Sequence, residues 1–471
     1  MKNVYHKYER ILRFAAVFFF IFLYGLNRNI MTGDYWHDSG IYYGASLTFV
    51  ADGHFSFLNY VDLLRGYFFP FLLYIFTTVG KLAGVEDGVA ILFGASLTAT
   101  FVFAVILPAL FEKRKNSLPY TMAMVVVFFA YWQDLIYYPL SDFYAFAFLL
   151  CAIYFMVKAE EWKERIGWGI YPVYILCGVC FYGAYNTRTI YLFAGPLIVL
   201  LFLFFNRREA KKRLTGYLFC VAAGVLIAGL PQAGINQKMY DSFSIAVDTS
   251  NMEGGNLFNF QLSSGITMQR YETYVGPEEN YPKHKFVFED EAGKRIMEEE
   301  GKELVESIGE YIGIVLKYPL DFIGLYTRHL INAFCMPYNH VYIKWLHTFK
   351  PWLILLNYTL VFTAGMAIIL QKSWKQNLTG RQGQKSVYML ATLLPCAMIL
   401  PGAIEMRFFA PLYILMYGYL AYALDYVLLL DYVKKHFVKV LAVYVGILCV
   451  CLSVWGSAMA SAEYGAQLLS R

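Results

Sequence analysis

Apolar residues run along this chain in long blocks, separated by short polar stretches in which lysine and arginine cluster. Blocks such as "ILRFAAVFFFIFLYGL" and "VLAVYVGILCVCLSVW" approach the roughly 20 residues that a helix needs to cross a bilayer. Read this way, the pattern predicts about eleven membrane-spanning helices. They fall at about residues 11 to 27, 88 to 111, 119 to 136, 141 to 157, 169 to 185, 188 to 205, 214 to 231, 351 to 370, 386 to 402, 408 to 430 and 438 to 457. The first block lacks a small-residue cleavage site and leads into a Trp/Tyr-rich loop, so the expectation is a retained span rather than a cleaved signal.

Composition agrees with that class. With 59% apolar residues, 19% aromatics and 15% charged residues in 471, the chain does not describe a soluble globule with a polar exterior. The net charge of +5 calls for no nucleic-acid partner, because the positive residues are distributed as a membrane protein distributes them. Placing Lys2, Lys7, Arg10 and Arg13 in the cytoplasm puts "EKRKNS", "KAEEWKERIG", "NRREAKKR", "QKSWKQNLTGRQGQK" and "DYVKKHFVK" there too. The apolar stretch at residues 67 to 83 would reverse that order if it crossed, so it is expected to lie along the outer interface or to re-enter.

This orientation divides the chain into three parts. Residues 1–231 form an amino-terminal membrane module with a first outer loop at 27–87. Residues 232–350 form a small extracytoplasmic segment, and 351–471 the carboxy-terminal membrane helices. Within the outer segment, "FEDEAGKRIMEEEGKELVESIGEYIGIVL" has an acidic start and helical apolar spacing, and "YPLDFIGLYTRHLINAF" reads as an amphipathic interfacial helix. Pro282 and Gly276-Pro277 mark turns before them. No internal repeat is visible, which weakens a transporter reading. Of the eight cysteines, Cys177 and Cys180 lie one turn apart on a predicted span, where plain packing accounts for them. The Asn377-Leu-Thr sequon falls in a cytoplasmic loop and is expected to stay unmodified.

The same orientation brings Asp38, Asp142, Arg188, Glu405 and Arg407 to one non-cytoplasmic side from spans scattered over the chain. The first outer loop, "GDYWHDSGIYYGASLTFVADGHFSFLNYVDLLRGYFFPFLLYIF", has an acid after the first span, a helix of small and aromatic residues, a glycine near its end and a basic-Pro entry into an apolar segment. In this it resembles the GT-C superfamily of membrane glycosyltransferases, in the branch of protein O-mannosyltransferases and lipid A aminoarabinose transferases. That branch carries an Asp-Glu pair, then Tyr, Ala, Gly and a Lys-Pro-Pro entry. The counterparts are Asp38-Ser39, Tyr42, Ala45, Gly53 and Arg65 to Pro70, with Ser39 where the branch has Glu and "RGYFFP" where it has Lys-Pro-Pro. Farther on, "YYPLSDFYAFAFLL" resembles the second outer loop, "YNTRTIYLFAGPLIVL" the Arg-headed span, and "IEMRFFAPLYILMY" the Glu-x-Arg-aromatic opening of a late span.

The resemblance implies an all-α GT-C-like bundle; the loop charges put its active site outside, and the many aromatic residues and compact outer segment fit a bacterial plasma membrane. The implied reaction moves a sugar from a polyprenyl-phosphate-linked donor to the hydroxyl of a glycan, lipid or protein acceptor, with inversion. Asp38 is then the catalytic acid-base residue, Asp142 a second acid, and Arg65, Arg188, Arg407 and Glu405 the donor-binding group, with Arg328 a further cation on the same side. Tyr42, Tyr43 and Tyr138, with Trp36 and Tyr137, would line a sugar cavity.

Plainer readings stand beside these. Asp38 is also where a solvated helix flank falls, Asp142 can simply favour a helix start, Arg188 can snorkel, and Glu405 with Arg407 can form an interfacial ion pair. Aromatic residues can be an interface belt. Asp34, Asp52 and Asp62 read as solvated loop acids. His37 and His54 share the loop with the acids, so a divalent metal is one alternative, but no metal site is assigned and no cofactor is called for. The competing functions are a lipid-linked oligosaccharide flippase or transporter, and a polysaccharide polymerase or ligase.

Overall fold

The computed structural model describes residues 2–27, 35–62, 64–111, 118–249, 256–275, 285–371 and 381–464. Asp34, the basic stretch 112–117 and Asn377 lie outside the described residues. The chain is helical over 78% of its length and carries one small sheet, so the all-α expectation holds apart from four short strands.

Among the described residues, five helical runs are long and apolar enough to cross a membrane: Asp87–Phe111, Ser141–Thr187, Lys211–Tyr240, Pro351–Gln371 and Phe437–Ala460. The expected eleven spans are not reproduced as eleven long helices. The Ser141–Thr187 run is 47 residues and doubles back at Gly167–Ile170, so its halves, Ser141–Ile166 and Tyr171–Thr187, pack on each other. Tyr171–Thr187 in turn lies along Lys211–Tyr240. There Gly178 faces the Val221 carbonyl and Gly224 the Ile175 carbonyl so closely that a Cβ on either would overlap backbone. Two bare positions thus let the helices approach where a larger residue would hold them apart.

Other expected spans are broken. Residues 386 to 402 divide into Arg381–Ala391 and Leu394–Ile399, with Pro395 at the start of the second helix, where it fits the first turn but leaves no continuous ladder. Residues 408 to 430 bend by 89° between Met406–Tyr422 and Tyr426–Lys435. Asp425 explains the restart, since its side chain accepts the Leu428 N–H and caps the new helix. Within Asp87–Phe111 the turn at Phe101–Ile106 is a π-helix, and side chains reach its carbonyls: Arg13 donates to Ala104 and Tyr422 to Phe103. The stretch at 67 to 83 forms the helix Phe68–Leu82 and packs on the helix after it, with Gly80 against Ala90.

The Lys211–Tyr240 helix outruns the predicted boundary at 231 by nine residues. Beyond it stand helices Leu257–Thr267, Glu291–Glu299, Ile308–Lys317 and Pro319–Ala333, together with a sheet that the helical reading of this region did not contain. Strands β1 (Met268–Tyr274), β2 (Lys285–Glu289), β3 (Tyr342–Ile343) and β4 (Ala462–Tyr464) run in the order β3-β1-β2-β4. β1 and β2 are antiparallel, β1 and β3 parallel, and β4 pairs with β2. The aromatic-rich core joins Phe103, Phe128, Trp132, Phe143 and Tyr413 from four separate helical segments.

Candidate functional site

The helix His37–Leu47 begins at a constrained point. His37 takes a left-handed φ of 46°, its Nε2 lies 2.9 Å from the Tyr274 carbonyl of β1, and its ring meets that of Tyr342 on β3. Such a backbone persists only where the surroundings over-determine it. One residue on, Asp38 points away from the sheet contacts into a cluster of guanidinium groups.

Arg65 reaches Asp38 from the loop before Phe68–Leu82, Nη2 to Oδ1 at 2.9 Å, with its guanidinium 5.3 Å above the Tyr42 ring. That loop is fixed locally. The Asp62 carboxylate accepts the backbone N–H groups of Leu64 and Arg65, both at 2.8 Å, and Tyr60 donates to the Arg65 carbonyl. Asp62 is therefore not a solvated acid; its side chain is 8% exposed and its work is to shape the turn that carries Arg65. Asn186 holds the next residues, accepting the Phe68 N–H at 2.8 Å and donating to Gln232 at 3.0 Å.

Arg407 approaches Asp38 from the other side, Nη2 to Oδ2 at 2.7 Å. It lies in the short 3-10 turn Met406–Phe409 and turns its Nε to Glu405 at 2.7 Å, while its Nη1 lies 3.8 Å from Asp142. The second oxygen of Glu405 accepts the Thr273 hydroxyl of β1 at 2.9 Å, and the Ile404 carbonyl accepts the Tyr271 N–H. Arg188, just past the end of Tyr171–Thr187, bonds Asp142 in the first turn of Ser141–Ile166 and lies 4.7 Å from the Phe408 ring. The result is a chain of charge, Arg65, Asp38, Arg407 and Asp142 to Arg188, with Glu405 as a side branch.

Exposure separates the acids. Glu405 and Asp142 are 1% and 4% exposed, whereas Asp38 is 34% exposed, so Asp38 is the carboxylate that an incoming molecule can meet. Burial alone would push its carboxyl up; the Arg407 and Arg65 charges outweigh that and hold it well below the usual carboxylate range. Beside the cluster lies a small cleft with a charged wall of Asp142, Arg188 and Arg407 and an apolar wall of Pro395, Ile399, Phe408 and Pro411. It has room for water-sized guests over about 20 Å³, so a larger molecule enters only if side chains move.

All six charged residues named from the sequence as acid or donor-binding groups therefore meet in one network. The aromatic set does not behave as a unit. Tyr42 lies under Arg65 and donates to Ser141, and Tyr138 packs 5.1 Å from Tyr342, whose hydroxyl meets Ser39. Tyr43 turns instead to Asp87 at 2.8 Å, Tyr137 is buried against Tyr24 and Phe129, and Trp36 is half-exposed at the head of its helix. Arg328 is engaged elsewhere, in a two-pronged contact with Asp290. Among the described residues, no three of His, Cys, Asp and Glu are grouped to hold an ion. Sequence reading missed Thr273, Tyr271 and Lys285, which the sheet brings to the cluster. The signal was present in "MQRYETY" and "KFVFE", two alternating runs on either side of Gly276-Pro277.

Compared with protein-family models, with curated proteins and with solved structures, the chain matches none of them.

Proposed function

We propose that this protein is a GT-C-type membrane glycosyltransferase that moves a sugar from a polyprenyl-phosphate-linked donor to an acceptor hydroxyl on the extracytoplasmic face, with inversion. The observation that carries the reading is the Asp38 carboxylate, open to an incoming molecule and clasped by Arg65 and Arg407 beside a cleft that Arg188 also lines. In the reaction the acceptor oxygen bonds to the anomeric carbon as the bond from that carbon to the phosphate oxygen breaks. The lipid phosphate leaves with the electron pair, and the acceptor proton passes to Asp38.

The resting charges suit this order of events. A carboxylate gripped by two guanidinium groups is a poor base, but a phosphate is a better partner for planar guanidinium donors. Donor phosphate in the cleft draws Arg407 and Arg65 toward itself, and Asp38 recovers its basicity only when the donor is bound. The same cations stabilise the charge that grows on the leaving phosphate. Asp142 orients Arg188, and Glu405, tied to Thr273, orients Arg407.

The location of the charges also favours an enzyme over a transporter. Asp142 opens a helix, Arg188 follows the end of one and Arg407 precedes one, so the polar groups gather at helix ends, whereas transporter sites sit at the middle of interrupted spans. The test is full-length protein in nanodiscs with a polyprenyl-phosphate-linked sugar and candidate acceptors. Release of polyprenyl phosphate together with a sugar-extended product by mass spectrometry supports the reading; movement of intact donor across the bilayer without release replaces it with a flippase.

A further inference from the structure

The face of the sheet that looks onto the charge cluster holds two groups that the network does not use. Alternate residues of a strand share a face, so Tyr271 and Thr273 of β1 lie on one side, and Lys285 of β2, paired with Thr273, lies on that side too. Thr273 shows what this side faces, because its hydroxyl binds Glu405. The Tyr271 ring lies 6.3 Å from that of Phe408 and is 5% exposed, yet its hydroxyl has no hydrogen-bond partner among the described residues. That hydroxyl keeps some contact with solvent, so it is free to donate to a ligand atom that enters the charged site.

Lys285 supplies the second observation. Its Nζ stands 4.5 Å from the centre of the Tyr271 ring, and it makes no ion pair among the described residues. It nonetheless lies in the field of Glu405 and Asp38, and burial pushes its ammonium down. Arg65, Arg188 and Arg407 are engaged by Asp38, Asp62, Asp142 and Glu405. Lys285 is the cation beside the site that is held by an aromatic face and not by a direct ion pair among the described residues.

We propose that Lys285 and Tyr271 form an acceptor subsite, and that the acceptor carries a negative group, a phosphate or a carboxylate, beside the hydroxyl that receives the sugar. This rests on the glycosyl-transfer reading above. The lipid-phosphate cleft is walled by helix ends and turns around Arg188 and Phe408, whereas Lys285 and Tyr271 come from the sheet, with the Tyr271 ring against Phe408. An acceptor held there presents its hydroxyl beside Asp38, which takes the proton as the oxygen bonds to the anomeric carbon. The Lys285 ammonium binds the anion, and the Tyr271 hydroxyl donates to a neighbouring oxygen.

Binding to full-length protein in nanodiscs tests the subsite with three probes: glucose 6-phosphate as the anionic sugar, glucose as its neutral counterpart, and a polyprenyl monophosphate for the donor side. Lys285→Gln is expected to weaken glucose 6-phosphate by about tenfold or more while leaving the polyprenyl monophosphate unchanged, with Lys285→Arg recovering most of the loss. Tyr271→Phe, which removes only the hydroxyl, is expected to weaken glucose 6-phosphate several-fold. If Lys285→Gln weakens the polyprenyl monophosphate instead, the anion belongs to the donor and the proposal falls; equal binding of all probes by wild type and variant overturns it as well. Arg407→Ala keeps the two readings apart, because undiminished polyprenyl monophosphate binding there removes the donor assignment whatever Lys285 does.

Discussion

Arg407 and Asp38 are 369 positions apart in the chain and 2.7 Å apart in the fold. The contact joins the start of the helix His37–Leu47 to the turn that precedes Ala410–Tyr422. Its consequence is that the open carboxylate of the site is controlled by a buried cation whose own placement depends on Glu405 and β1.

Asp38→Asn keeps the shape of the side chain but accepts no proton. Transfer is expected to fall by about 10²–10⁴-fold, in the range that a positioned base contributes. Asp52→Asn, on an exposed turn, is expected to leave the rate unchanged. Wild-type turnover by Asp38→Asn at saturating donor would remove it as the base.

Arg407→Lys tests whether geometry or charge matters. One guanidinium spans Asp38, Glu405 and Asp142, and a point ammonium cannot reach all three. Donor affinity is expected to drop by about tenfold or more with Lys and further with Ala. Arg407→Ala is also expected to cost about 3–5 kcal/mol of stability by stranding the buried Glu405, measurable as a lowered midpoint of unfolding.

Gly66 precedes the Phe68–Leu82 helix and presses on the Asn186 backbone and side chain so tightly that a Cβ there overlaps both. Gly66→Ala is expected to displace Arg65, lowering donor affinity and thermal stability together. Gly44, with open space around its Cα, is the control, and Gly44→Ala is expected to be neutral or slightly stabilising in its helix. Equal behaviour of the two variants would show that the loop before Phe68 has slack.

The sign of the Asp38 shift gives a pH dependence. A carboxyl held below its unfolded value contributes stability that is fully present above about pH 4 and is lost as pH falls through the folded value. Wild type is therefore expected to exceed Asp38→Asn in stability near neutrality, and the gap is expected to narrow as the pH is lowered below 4 in parallel melts. A constant gap would mean that the two arginines do not hold the carboxylate.

Sidedness is accessible to labelling. Ser39 is fully buried and unsuitable as a probe, so the outer position is better read at Asp52→Cys. Asp52→Cys is expected to react with an impermeant reagent from outside, and Lys115→Cys only after the membrane is opened. The opposite result inverts the topology.

Much of the charge cluster was legible because each member borders an apolar block, where a charge is costly and hence conspicuous: Asp142 opens one run, Arg188 follows another, and Glu405 with Arg407 precedes a third. The helical class was legible for the same reason. What the blocks hide is interruption. Pro395 and Asp425 divide runs that hydropathy alone reads as continuous, whereas the fold-back inside the 47-residue run is marked by "KAEEWKERIG", which the sequence reading set between two spans. The sheet was hidden by shortness, since strands of seven and five residues beside a strongly acidic helical pattern leave a weak period of two. Tyr43 was misdirected because residues adjacent on a helix point about 100° apart, and Tyr42 takes the direction of the cluster.

β4 is built from residues 462–464, immediately after the last long apolar helix, and it pairs with the strand that carries Lys285. A ribosome that has delivered Asp38, Asp142, Arg188 and even Arg407 has still not supplied the outer edge of that sheet. Completion of the sheet waits for residues 462–464, so a product arrested just before them would hold the whole charge cluster and lack the brace on its β2 side.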